Sequence, residues 1–177
     1  VEQLPIRTER LFLRPVADDD LPRLYSILAD PEVMKLALYG RPLSPAEAQE
    51  FIDADFTRDV RDITHLGVLC RNDDASIVGF AGVLPCKYFP DDLEIGFVLG
   101  HEHQGLGYAT EIAAKLVDVC FGILGRQRLL GLCEPRNAGS RKVLEKVGMS
   151  QIDEIQTSDR GRRVIYAINR SEATSSM

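Results

Sequence analysis

The sequence predicts an α+β protein: a mixed, largely antiparallel twisted sheet with flanking helices. Three observations lead there. Strand-like and helix-like runs follow in the order β-α-α-β-β-β-α-β-α-β-β, without the repeating βαβ units of a parallel sheet. Three strand-like runs come one after another through turn-forming residues, which is hairpin order. A glycine-rich turn then separates the last of these from an amphipathic helix.

The elements are justified in chain order. Arg7–Val16 alternates Leu11 and Leu13 with polar neighbours and reads as a first strand. Asp18–Asp20 offers N-caps and Pro22 suits a first turn. Leu21, Leu24, Tyr25 and Leu28 keep helical spacing until Asp30-Pro31 stops it. Glu32–Leu43 is irregular and apolar. Ser44-Pro-Ala-Glu47 is a capping box, and the helix it starts buries Ala48, Phe51, Ile52 and Phe56 and runs toward Arg61. Ile63–Cys70 and Ser76–Cys86 form a hairpin around Asn72-Asp-Asp74, and Phe89-Pro-Asp-Asp92 turns the chain into the strand Leu93–Leu99. In that strand Leu93, Ile95, Phe97 and Leu99 share one face, and Glu94, Gly96 and Val98 the other. Ala109, Ile112, Ala113, Leu116, Val117 and Cys120 form the buried stripe of the next helix, closed by Gly122 and Gly125. Arg128–Glu134 is a strand. Asn137 caps a helix ending at Gly148, and Ser150–Gln156 and Val164–Asn169 form the last hairpin.

At 177 residues one domain is expected, over residues 1–170, with a disordered tail at Ser171–Met177. The net charge of −6 and a pI near 5.1 argue against nucleic acid as the main partner. Cys70, Cys86, Cys120 and Cys133 lie in apolar runs without CxxC spacing, so they read as buried free thiols of a reducing, cytoplasmic compartment. No apolar run reaches membrane-spanning length, and the first residues do not read as a signal peptide.

The chemistry centres on His101–Glu111, HEHQGLGYATE. Strand, glycine turn and helix start together aim backbone N–H groups and the positive end of a helix at one spot, which suits a phosphate or pyrophosphate. Gly105 and Gly107 permit left-handed backbone angles and close ligand approach. Gln104 offers an amide donor at the mouth, and Ala109 is small where the helix begins. No Gly-Lys-Ser/Thr follows, so this is not a P-loop, and Gly105-Leu-Gly107-Tyr-Ala-Thr110 lacks the third small residue of a dinucleotide fingerprint. His101 and His103 lack further ligands, so no metal site is expected.

With EIGF (Glu94–Phe97), QGLGYA (Gln104–Ala109) and NAGSRKVLEKVGM (Asn137–Met149), in order and correctly spaced, the chain resembles the Gcn5-related N-acetyltransferase superfamily. Within it, the opening TERLFLRPV resembles the ribosomal-protein-serine/alanine N-terminal acetyltransferases. The resemblance implies the acyl-CoA N-acyltransferase fold and acetyl-CoA as co-substrate. Coenzyme A would contact Val98 and Leu99 through a strand edge splayed from Arg128–Glu134. Its pyrophosphate would meet Gln104, Gly105, Leu106, Gly107, Tyr108, Ala109 and Thr110. Asn137 and Ser140 would face the pantetheine arm and sulfur, with Arg136 and Arg141 near the adenosine 3′-phosphate. Acetyl would pass directly to a primary amine, a protein N-terminus or a small molecule. Glu94 would be the general base, directly or through water, Ser140 the donor to the leaving thiolate, and a backbone N–H near Val98 or Leu99 would meet the oxyanion. The competing reading is a non-catalytic acyl-CoA sensor of the same fold. The acceptor wall would come from Met34–Ser44 and Ser158–Arg163, with Asp55, Asp59 and Asp62 able to attract a cation. A monomer and a homodimer are both compatible with the resemblance.

Overall fold

The computed structural model describes residues 3–173. Its strands are β1 (Ile6–Arg7), β2 (Leu11–Arg14), β3 (Leu66–Arg71), β4 (Ile77–Pro85), β5 (Leu93–Leu99), β6 (Arg128–Cys133), β7 (Ser150–Thr157) and β8 (Gly161–Asn169). Its helices are α1 (Leu21–Leu28), α2 (Pro31–Met34), α3 (Pro45–Asp55), α4 (Tyr108–Asp118), α5 (Ala138–Lys146) and α6 (Arg170–Ala173). The strands make one eight-stranded sheet in the order β1-β2-β3-β4-β5-β6-β8-β7. Every neighbouring pair is antiparallel except β5–β6. The expected α+β class with its largely antiparallel sheet is what forms.

The two faces of β5 divide as the alternation requires. Leu93, Ile95 and Leu99 pack with Ile112, Ala113 and Leu116 of α4 and Leu144 of α5. On the opposite face Leu66, Val68 and Phe80 pack with Leu24, Ile27 and Leu28 of α1 and Phe51 and Ile52 of α3. The rings of Phe51, Phe56 and Phe80 meet there at centroid distances of 5.2 to 5.9 Å. Each fully buried Leu or Ile contributes about 1.5–3 kcal/mol.

Four expectations need correction. Arg7–Val16 is not one strand but the hairpin β1–β2, because the Thr8 hydroxyl accepts from the Leu11 amide at 3.1 Å and folds the chain back. Asp30-Pro31 both ends α1 and starts α2, since the Asp30 carboxylate caps the Glu32 amide at 2.8 Å. The capping box at Ser44 forms, but α3 ends at Asp55, short of Arg61. Phe56 is already extended and bridges Leu66, and the Thr57 amide bonds the Leu66 carbonyl at 3.0 Å. Of the tail, Ser171–Ala173 is ordered in α6, and Thr174–Met177 lies outside the described residues.

Candidate active site

The parallel pair β5–β6 is laddered only at Leu93–Ile95 against Leu129–Gly131. Past that point β5 continues to Leu99 and β6 to Cys133 without pairing, while β5 keeps β4 along its other edge through Gly79↔Leu99. The two strands therefore part, as the resemblance implied, and one backbone edge of residues 96–99 faces an opening. A groove of about 340 Å³ runs from it, lined by Val98, Leu99, Gln104, Gly105, Gly107, Tyr108, Ala109, Thr110, Asn137 and Ser140.

The glycine turn forms the far end of that groove. Gly105 and Gly107 sit at φ +74° and +82°, where a Cβ would strain the backbone. Gly107 is the N-cap of α4, and no side chain caps this helix. Its first intrahelical bond runs from the Glu111 amide to the Gly107 carbonyl at 3.1 Å. The Tyr108, Ala109 and Thr110 amides precede it and are left for a ligand or water. Two sequence assignments change. The Gln104 amide turns inward and donates to the Leu99 carbonyl at 3.2 Å, so it ties the loop to the strand instead of reaching out. The Leu106 side chain is half exposed and does not line the groove.

Arg10 and Glu111 were not foreseen. Arg10 donates to the Leu106 carbonyl at 3.0 Å, pairs with Glu111 at 2.7 Å, and its guanidinium carbon lies 4.7 Å from the centre of the Tyr108 ring. Glu111 also accepts from the Arg10 amide at 2.8 Å and from the Thr8 hydroxyl at 2.6 Å. The β1–β2 turn thus braces the glycine loop from behind. No local pattern announces a contact spanning about a hundred residues.

At the start of α5, the Asn137 carbonyl oxygen caps the Ser140 amide at 3.0 Å and its NH₂ donates to the Leu36 carbonyl at 3.2 Å. Asn137 therefore locks the α2–α3 segment to α5. The Ser140 hydroxyl lies against the Cys133 thiol and stays half-buried. Arg136 pairs with Glu134 at 2.8 Å. Arg141 bonds the Tyr166 hydroxyl and Gln151. Neither lines the groove. One turn apart on α5, Lys142 and Lys146 do, and their i,i+4 spacing was the signal available in the sequence.

A second cavity of about 110 Å³ adjoins the first and shares Ala37, Phe97, Val98, Asn137 and Ser140 with it. Glu94 lines it, on the sheet face away from α4, with Oε2 buried and without a hydrogen-bond partner. Burial pushes the Glu94 carboxyl above the usual carboxylate range, against the opposing pull of the Cys86 thiol and Arg160. Asp55, Arg160 and Arg163 converge on the same cavity. Of the three aspartates singled out, only Asp55 is there. Asp59 pairs with Arg61, and Asp62 bonds Thr64 and His65. All four cysteines are buried and free. Burial holds the Cys86 thiol up at about 12 and those of Cys120 and Cys133 at about 11, which disfavours the thiolate form of each.

A family model described as "Acetyltransferase (GNAT) domain" matches residues 10–150. The chain belongs to the GNAT acetyltransferase family. Among curated relatives, the Bacillus subtilis protein named "Uncharacterized N-acetyltransferase YnaD" is 28% identical over 145 residues, covering 81% of each chain. Among solved structures, an acetyltransferase from Agrobacterium tumefaciens is 26% identical with a TM-score of 0.80 over 94% of both chains. A spermidine N-acetyltransferase from Vibrio cholerae, in complex with CoA and spermine, shares the fold at a TM-score of 0.72 and 17% identity, covering 93% of this chain and 98% of its own. The GNAT match spans the parted strands, the glycine loop and α5. It stops short of the β7–β8 turn that brings Arg160 to the smaller cavity. No helix among the described residues is long and apolar enough to cross a membrane.

Proposed function

We propose that this GNAT protein transfers acetyl from acetyl-CoA directly to a primary amine. One observation carries the reading: the two cavities meet at Ser140, Asn137, Phe97 and Val98, with a half-buried carboxylate whose Oε2 has no hydrogen-bond partner on one side and an uncapped helix start on the other. The diphosphate of CoA rests on the amides of residues 105–110, where helix dipole and open N–H groups favour an anion. Leu106 contributes its backbone only. Lys142 and Lys146 add positive charge on the adenosine side. The pantetheine amides pair with the open edge at Val98 and Leu99, which brings the thioester to the shared wall. That a GNAT fold neighbour was solved with CoA supports this placement.

On the other side the acceptor arrives as an ammonium and must lose a proton before its nitrogen has a lone pair. Glu94 takes that proton, directly or through a water. Its raised affinity for protons suits a base that works near neutral pH. The nitrogen attacks the thioester carbonyl and a C–N bond forms. The oxyanion is met by a backbone N–H of the β5 edge. The C–S bond then breaks, the Ser140 hydroxyl hydrogen-bonds the departing thiolate, and the proton left on the new amide nitrogen passes to that sulfur, giving free CoA thiol. Asn137, with both polar ends engaged, acts as a strut that keeps the α2–α3 segment over the site. The acceptor is a protein N-terminus, as the likeness to the ribosomal-protein-serine/alanine group implies, or a small-molecule amine, and buried free thiols fit a cytoplasmic setting.

Release of free CoA thiol from acetyl-CoA, followed with a panel of amines, tests this. Amine-dependent release that is lost in Glu94→Gln supports the reading. Stabilisation by acetyl-CoA in a thermal-shift titration with no release for any amine would favour the non-catalytic sensor.

A further inference from the structure

The smaller cavity holds more positive charge than the transfer needs. Arg163 is only 6% exposed, yet forms no ion pair among the described residues. Its guanidinium donates to the carbonyls of Leu38 and Arg162, the latter at 2.9 Å. Arg160 also lacks an ion pair there, and its Nε is buried without a hydrogen-bond partner. Both side chains line the cavity that contains Glu94. Burial, and then the charge of Arg160, pull the Arg163 guanidinium below its ordinary value. Asp55 and Glu94 act on Arg160 only at longer range, and Tyr39 is its hydrogen-bond partner, so neither guanidinium has a carboxylate in contact among the described residues. Two cations held together out of water are costly unless something anionic joins them.

The surroundings hold these groups in place. Leu38 takes a left-handed backbone at φ +46°, unfavourable for a branched side chain, and its carbonyl accepts from Arg163. The Tyr39 ring centre lies 5.3 Å from the Arg160 guanidinium carbon. The β7–β8 turn carrying Arg160 is pinned by the Thr157 hydroxyl, which accepts from the Arg160 amide at 3.0 Å, and by Asp159, which takes hydrogen bonds from Lys87 and Tyr88. The other charges facing the cavity are Asp55, Glu94 and Glu134, and Glu134 is already engaged by Arg136. Asp55 and Glu94 suit the ammonium. The guanidiniums are left for a second, negative group. A cavity of about 110 Å³ carrying both signs fits a small zwitterion better than a polycation.

Resting on the acetyl-transfer reading, we infer that the acceptor is an amino-acid-like amine whose carboxylate is held by Arg160 and Arg163 while its nitrogen faces Glu94. A planar carboxylate matches the guanidinium fork, and such a charge-assisted contact is strong when shielded from water.

Matched acceptors test this: β-alanine against propylamine, L-phenylalanine against L-phenylalaninamide, and O-phosphoethanolamine against ethanolamine. Thiol release from acetyl-CoA should favour each carboxylate-bearing member by at least about 10-fold in kcat/KM. The preference should fall to within about 3-fold in both Arg163→Gln and Arg160→Gln. A larger advantage in the phosphoethanolamine pair than in the carboxylate pairs would replace the carboxylate with a phosphate. Equal or better turnover of the neutral members, or a preference surviving both substitutions, overturns the inference. Should no amine turn over, calorimetric titration of the CoA-loaded protein with the same pairs applies the same criterion to binding. Because Arg163 is buried, Arg160→Gln and the wild-type comparison decide the matter if Arg163→Gln does not fold. If acetyl-CoA does not bind but the carboxylate members bind in an Arg160-dependent way, the transfer reading falls and the anion site stands.

Discussion

The two ends of the site are built from different material. The larger groove is centred on backbone, an unpaired strand edge at residues 96–99, two left-handed glycines and the uncapped start of α4, with Lys142 and Lys146 along one side. The smaller cavity is lined by side chains from many elements, its charged groups coming from α3, β5, the β6–α5 link, β8 and the β7–β8 turn. A backbone site recognises a constant partner and tolerates change in side chains. A side-chain site can be altered one residue at a time. On the proposed reading the backbone-centred end takes the donor and the side-chain end the acceptor, an arrangement in which one framework can host different acceptors.

The contrast can be broken by mutation, and the largest effect is expected at the shared chemistry. Glu94→Gln should lower kcat by about 10³-fold while leaving acetyl-CoA binding unchanged, read by thiol release and calorimetry in parallel. The same substitution should stabilise the fold at neutral pH. The folded-state affinity of Glu94 for its proton is raised, so its favourable contribution is complete below the unfolded pKa and is lost as pH rises through the folded value. Gln carries no such loss, and the melting temperature of the variant should exceed wild type at pH 8 but not at pH 4. Ser140→Ala should cost about 10²-fold in kcat, read by the same thiol-release assay.

The next effects separate the two ends. Wild-type kcat/KM should rise with pH through a value above the ordinary carboxylate range, because only ionised Glu94 accepts a proton, while acetyl-CoA affinity stays level over that window. Parallel curves for the two would remove Glu94 as the base. Gly107→Ala imposes about 1–2 kcal/mol of left-handed strain and should weaken acetyl-CoA by roughly 10-fold without altering acceptor preference. Smallest of all, Lys146→Gln should weaken acetyl-CoA by about 2- to 5-fold, with a shallower salt dependence, since an exposed lysine is worth less than about 1 kcal/mol.

What could be read from the sequence follows the same division. The strand–glycine–helix unit, the capping box at Ser44 and the alternation in β5 are local patterns, and all of them form as read. Hydrophobic alternation alone overran the first strand, because it does not register that a Thr8 hydroxyl can close a turn. Gln104 was expected as an amide donor at the mouth, and its bond to the Leu99 carbonyl has no local signature, because that carbonyl becomes free only where β5 has lost β6. Arg10 had no spacing to give it away, whereas Asp55 and the Ser158–Arg163 segment were expected on the acceptor side, without Arg160 and Arg163 being singled out. Their convergence depends on sheet order, which sets β8 beside β6 and returns the β7–β8 turn toward Glu94.

The Thr8–Glu111 bond joins segments 103 positions apart, and with Arg10 it holds the glycine loop from behind. Such a latch closes only after most of the intervening chain has settled, and it opens with little loss elsewhere. Mild warming or low urea should therefore loosen the glycine loop while the Glu94 cavity keeps its shape, and Thr8→Ala, which leaves the buried Leu4 and Ile6 in place, should do the same at room temperature.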